Sequence, residues 1–140
     1  MLAVYLCFIG TASAAINCRG SSACASDPGA SVETIQAQVH TLVAQGGGDG
    51  IFEAQRPIAC SQGKDGSFCA FFQNTSGTGR QAEALVQKLF DRGCKRCGSV
   101  ATHPGNDVSA GALTVNLVKE PCCKGDCFCS GRGARIRKVE

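Results

Sequence analysis

The sequence predicts an α+β fold: a disulfide-stapled domain with two main helices packed on one face of an antiparallel sheet. Three observations predict it. Two segments repeat apolar residues at helical spacing, strand-like runs separate and follow them, and eleven cysteines are spread over 140 residues. Two helices divided by hairpin strands, with a further strand at the end, bury their apolar faces best as helices against one side of an antiparallel sheet.

The elements are justified in chain order. Met1 to Gly10 is almost wholly apolar, and Ala12-Ser13-Ala14 offers small residues in an A-x-A pattern. This is the layout of a secretory signal peptide over residues 1–15, too short to span a membrane. Cleavage after Ala14 or Ala15 removes Cys7 and leaves ten thiols for an oxidising compartment, an even set that reads as a disulfide framework. Residues 16–122 then form one domain, and residues 123–140 a cysteine-containing basic tail.

Cys18 to Cys24 is a short, polar, cysteine-bounded opening. Asp27 followed by Pro28 is a candidate helix start, with Ser31 a second candidate cap. Val32, Ile35, Val39, Leu42 and Val43 recur at helical spacing until Gly46-Gly47-Gly48 ends the pattern. Ile51 to Cys60 reads as extended, with Pro57 marking an edge or bulge. Gly63-Lys64-Asp65-Gly66 is a turn, and Ser67 to Asn74, rich in Phe68, Phe71 and Phe72, completes a hairpin. Thr78-Gly79-Arg80-Gln81 fits a capping box. Ala82, Leu85, Val86, Leu89 and Phe90 follow on one helical face, and Gly93 stops the helix. After Cys94 and Cys97 comes a loop from Thr102 to Asp107, turning at Pro104-Gly105-Asn106. Leu113, Val115 and Leu117 alternate with Thr114 and Asn116, the pattern of a half-buried strand. From Cys123 the chain reads as irregular except where disulfides hold it.

Composition narrows the function classes. The core is lean: the chain has no Trp, its one Tyr lies in the signal segment, and of its seven Phe one, Phe8, is lost with that segment; bridges worth about 2–4 kcal/mol each compensate. Ala15 to Pro121 carries nine basic and nine acidic residues, so the net charge of +3 arises wholly beyond Cys122. A neutral body argues against nucleic-acid binding. No later segment is long enough to span a membrane, so a soluble, secreted monomer is expected.

The chemical motifs favour structure over catalysis. Cys94-Lys95-Arg96-Cys97 follows a helix C-terminus, where the dipole disfavours the thiolate that a redox dithiol needs, so structural bridges are expected there. The tail thiols Cys122, Cys123, Cys127 and Cys129 have metal-ligand spacing, but secretion, an even count and the lack of a nearby His point to bridges. No metal or cofactor is expected. His40 and His103 have no partner arrangement, no triad or carboxylate pair stands out, and no enzyme activity is expected. Lys64 at a hairpin tip is the foremost candidate for a target-contacting cation, against the plainer reading of a solvated turn residue. Lys95 and Arg96, between bridged cysteines, are expected to be held outward. Asn74-Thr75-Ser76 is an N-glycosylation sequon.

Ala15-Ile16-Asn17-Cys18-Arg19-Gly20-Ser21-Ser22, then Cys24, together with Gly93-Cys94-Lys95-Arg96-Cys97-Gly98-Ser99 and the stretch Pro104 to Val118, resemble the killer-protein-four toxins. These are small secreted toxins first associated with a virus of a smut fungus. The resemblance covers Ile16 to Cys122. It implies an α/β sandwich with split β-α-β units and bridges Cys18–Cys94 and Cys24–Cys97. It also implies inhibition of cell growth through a cell-surface target, a calcium channel, rather than by enzymatic attack.

The chain departs from that pattern. It lacks a cysteine in the first helix and near Gly46 to Gly50, and has Cys69 and the tail cluster instead, so the pairing of Cys60, Cys69, Cys122, Cys123, Cys127 and Cys129 stays open. The family toxin's functional lysine falls at Ile58, with Arg56 and Lys64 the nearest cations. The expected function is therefore a secreted antagonist of competing or host cells. The alternative is an effector or surface-binding protein on the same scaffold without channel blockade.

Overall fold

The computed structural model of the chain describes residues 15–103, 105 and 107–133. The apolar N-terminal run, the turn residues Pro104 and Asn106, and the basic stretch after Gly133 lie outside the described residues. The chain forms β1 (Ile16–Asn17), α1 (Ala23–Ser26), α2 (Val32–Leu42), β2 (Ile51–Phe52), β3 (Ala59–Gln62) and β4 (Ser67–Gln73). There follow β5 (Gly77–Thr78), α3 (Gly79–Arg92), β6 (Gly98–Ala101), β7 (Ala112–Val118) and β8 (Cys127–Phe128). Six strands make one antiparallel sheet in the order β1-β6-β7-β4-β3-β8, and β2 pairs with β5 beside it.

Because β4 and β6 both run antiparallel to β7, they are parallel to each other with β7 between them. The unit β4-α3-β6 is therefore a split β-α-β, as the resemblance implied. Strand alternation divides the sheet into two faces. Phe68, Ala70 and Phe72 of β4, Leu113 and Val115 of β7 and Val100 of β6 join the core under α2 and α3. Cys60, Cys69 and Asn116 lie on the other face, in register across β3, β4 and β7. From α2 come Val32, Ile35, Val39 and Leu42, and from α3 Ala82, Leu85, Val86 and Leu89, all buried. Each fully buried large side chain among them contributes about 1.5–3 kcal/mol. Phe90, expected on the same stripe, is 40% exposed.

Helix termini follow the local chemistry. In α3 the Thr78 N–H donates to Gln81 Oε1 at 2.8 Å while Gln81 N–H donates to Thr78 Oγ1 at 3.1 Å, the reciprocal box. Gly93 closes the helix with φ 91°, a left-handed conformation that suits glycine. For α2 the cap is Ser31, which accepts from Thr34 N–H at 3.0 Å; Asp27 and Pro28 start no helix. The Asp27 carboxylate is engaged elsewhere, as described below.

Other differences have a common cause. Only Ile51–Phe52 and Ala59–Gln62 are strands in the segment expected to be extended, because the chain turns between them with Gln55 at φ 69°. Strands β1, β5, β6 and β8 are two to four residues long. They exist through long-range pairing, which leaves no local periodicity to read. The tail is thus more ordered than its composition indicates: β8 pairs with β3 in the register Ala59↔Phe128, and Cys129 N–H donates to Ile58 O at 2.8 Å.

The bridges Cys18–Cys94 and Cys24–Cys97 tie the N-terminal segment to the end of α3, matching the implied pairs. The pairs left open are Cys60–Cys69 across the β3–β4 ladder, and Cys122–Cys129 and Cys123–Cys127 within the tail.

Candidate functional site

The turn between β3 and β4 is held by Asp27, which has no solvent exposure. Its Oδ1 accepts Gly29 N–H at 2.9 Å and Lys64 N–H at 2.8 Å, and its Oδ2 accepts Asp65 N–H at 2.6 Å. A buried carboxylate is tolerable when its lone pairs are met by such donors. The Asp65 N–H lowers the Asp27 pKa below its ordinary 3.8; burial opposes this, and the N–H groups of Lys64, Gly29 and Ala30 reinforce the lowering. A depressed folded-state pKa means the clamp's stability contribution is fully present above pH 3.8 and fades as pH falls through the folded value. Thermal melts followed by circular dichroism between pH 2 and 6 should show an acid-labile component that Asp27→Asn lacks. Identical pH profiles for the two proteins would refute the linkage.

Asp27 thus anchors the β3–β4 turn that carries Lys64, and the Lys64 side chain is exposed. Five residues on, Val32 N–H donates to Lys95 O at 2.8 Å, so the turn after α3 is docked on the same segment. Lys95 is exposed as well, and among the described residues neither lysine is in an ion pair. Arg96, expected outward, is instead half-buried: its Nη1 donates to Cys24 O at 3.3 Å. Its buried Nε has no partner among the described residues. Through that hydrogen bond to Cys24 O, Arg96 ties the turn after α3 to α1. The four candidate cations accordingly do not form one cluster. The turns that carry Lys64 and Lys95 are both hydrogen-bonded to the segment from Asp27 to Val32.

Arg56 lies beyond the opposite end of β3. It lines an open groove of about 940 Å³ whose floor includes Pro57, Phe71 and Val118, with the tail as one wall. Arg132 of that wall sits 3.7 Å from Glu53, and its backbone exchanges hydrogen bonds with Ile51 at 2.9 Å in both directions. Ile58, at the family lysine's position, is fully buried in the core. Its N–H donates to Ala70 O at 2.8 Å, fixing it in the ladder's approach.

The remaining candidates resolve into structure. Cys94 and Cys97 are bonded to Cys18 and Cys24, not to each other, so the Cys-x-x-Cys segment holds no dithiol. Two sulfur triads, Cys60/Cys123/Cys127 and Cys122/Cys123/Cys129, lie within 4.8 Å, with every member also in a bridge. His40 Nδ1 lies 3.1 Å from Glu83 Oε2 on the outer helix surface. Asn74 is exposed at φ 57°, its Nδ2 donating to Ser109 O at 3.2 Å. Among the described residues no helix is long and apolar enough to cross a membrane. Sequence reasoning missed Asp27 as an anchor of the turn because the turn's N–H groups, those of Lys64 and Asp65, lie 37 and 38 residues away; only the glycines at 29 and 63 hinted at close backbone approach.

Fold and surface together define a small disulfide-stapled α+β scaffold that presents lysines on rigidly anchored turns. The Kp4 family model matches residues 1–119, and the chain belongs to that family. It is 37% identical to the KP4 killer toxin of the Ustilago maydis P4 virus over 105 residues, which span 74% of this chain and 79% of that toxin. The protein is therefore killer-toxin-like, while β8 and both tail bridges lie beyond the matched residues.

Proposed function

We propose that this protein is a secreted antagonist that inhibits the growth of competing or host cells by binding a cell-surface target, with a calcium channel as the foremost candidate. The observation that carries the reading is the pair of exposed lysines, Lys64 and Lys95, neither in an ion pair among the described residues, on turns docked to one segment of a killer-toxin scaffold. Anchoring the turns removes the backbone part of the ordering cost of meeting an acidic surface, leaving only that of the lysine stems. In this reading residues 1–15 are the signal peptide, residues 16–122 the monomeric toxin-like domain, and residues 123–140 an added tail. Arg56 contributes from the groove at the other end, and exposed Asn74 is available for glycosylation.

The alternative, a surface-binding effector without channel blockade, is favoured by one observation: Ile58 is buried where the family toxin has its lysine. Growth and calcium uptake of fungal and plant cells exposed to oxidised mature protein separate the two. Channel blockade predicts that both fall, and that Lys64→Ala weakens inhibition about tenfold, the loss of roughly 1.4 kcal/mol of binding. Growth inhibition with normal calcium entry would support the alternative, and full activity of Lys64→Ala would remove Lys64 from the site.

A further inference from the structure

We infer that Asp27 is the positioning residue that makes the Lys64 turn and the Lys95 turn act as one binding face toward a partner bearing paired carboxylates. The inference rests on the reading that Lys64 contacts the target. Its basis is the six-residue segment from Asp27 to Val32, which bridges two turns that are distant in sequence. At one end the Asp27 carboxylate takes the N–H groups of Lys64 and Asp65. At the other, Ser31 N–H donates to Ser61 Oγ at 3.2 Å, and Val32 N–H donates to Lys95 O at 2.8 Å.

The approach is too close for side chains on either wall. A Cβ at Gly63 would stand 2.5 Å from Asp27 Oδ2, and one at Gly29 would stand 3.3 Å from Gly63 Cα. Backbone therefore packs on backbone, with the carboxylate filling the gap. Among the described residues no cation pairs with Asp27, so the N–H groups of the turns are what keep this charge tolerable inside the protein. If either oxygen loses its donors, the Lys64 turn loses its fixed relation to Lys95. Two ammonium groups in fixed relation bind a matching pair of acidic groups cooperatively, because the second contact carries little further entropy cost.

Asp27→Asn is the direct test. Its Oδ1 still accepts Gly29 and Lys64, but an NH2 group now faces the Asp65 N–H. Growth inhibition is expected to fall about tenfold, and hydrogen exchange at Asp65 to accelerate while exchange in α3 and β7 stays slow. In the native background the losses from Lys64→Ala and Lys95→Ala should be non-additive; in the Asp27→Asn background they should become independent, which a merely structural role would not produce. Gly63→Ala, which forces the turn away while keeping Asp27, serves if Asp27→Asn fails to fold and is expected to uncouple the lysines likewise. Lysine coupling that survives a loosened turn would overturn the inference while leaving the target-binding reading intact. A fully active Lys64→Ala would overturn both.

Discussion

Removing both N-terminal bridges is expected to unfold the protein, whereas removing either alone is not. Cys18–Cys94 and Cys24–Cys97 close loops with sequence separations of 76 and 73 residues. They are interleaved. With one intact, the other closes only the small ring formed by Cys18 to Cys24 and Cys94 to Cys97. On chain-entropy grounds either single loss then costs about 3 kcal/mol, while loss of both costs about 7 kcal/mol. Typical domains hold about 5–15 kcal/mol in total. Urea unfolding of Cys24→Ser/Cys97→Ser, Cys18→Ser/Cys94→Ser and the quadruple variant measures this. Two single-bridge losses that already add up to the quadruple loss would show that the overlap of the two loops plays no part.

Restoring a lysine at position 58 is expected to destabilise the protein rather than revive a family-like site. Ile58 has no solvent exposure, and its backbone is bonded on both sides, to Ala70 and to Cys129. An ammonium placed there has no acidic partner in the surrounding apolar core. An uncompensated buried charge costs about 3–5 kcal/mol. Ile58→Lys should therefore unfold at markedly lower urea while gaining no inhibition, and Ile58→Met, of similar volume, should stay within about 1.5 kcal/mol of the parent. A stable and more inhibitory Ile58→Lys would mean that this position turns outward, and would return the target contact to this edge of the sheet.

The two predictions separate the scaffold's duties. The interleaved bridges tie the N-terminal segment and α1 to the end of α3, and they flank the Lys95 turn. Ile58, where the resemblance places the family toxin's lysine, is part of the core, covered at its carbonyl by the tail that extends beyond the family match. On the proposed reading, charge is presented instead on the anchored turns.

Local order was readable wherever a local cause existed. The 3.6-residue stripe of α3, its Thr78–Gln81 box and its Gly93 stop sit within one run of chain, and the structure reproduces them. So does the β3–β4 hairpin around Gly63 to Gly66, whose register sets Cys60 opposite Cys69. Phe90 escaped because periodicity reports a face, not how far the partner surface extends. Lys64 was identifiable as an exposed turn residue, but neither the anchor beneath it nor its link to Lys95 had any neighbour-to-neighbour signal.

What the sequence alone determined is the α+β class, the two long helices with their caps, the central strands, the even set of structural cysteines and the family. Each follows from short-range periodicity, turn chemistry or motif spacing. Tertiary structure alone decided the Cys60–Cys69 pairing and the tail's two bridges, the β8 pairing, the inward turn of Arg96, the burial of Ile58 and the docking of the Lys64 and Lys95 turns on one segment. Those depend on which backbone groups meet across tens of residues, and an Asp27 carboxylate satisfied by distant N–H groups is decided only when the chain has closed around it.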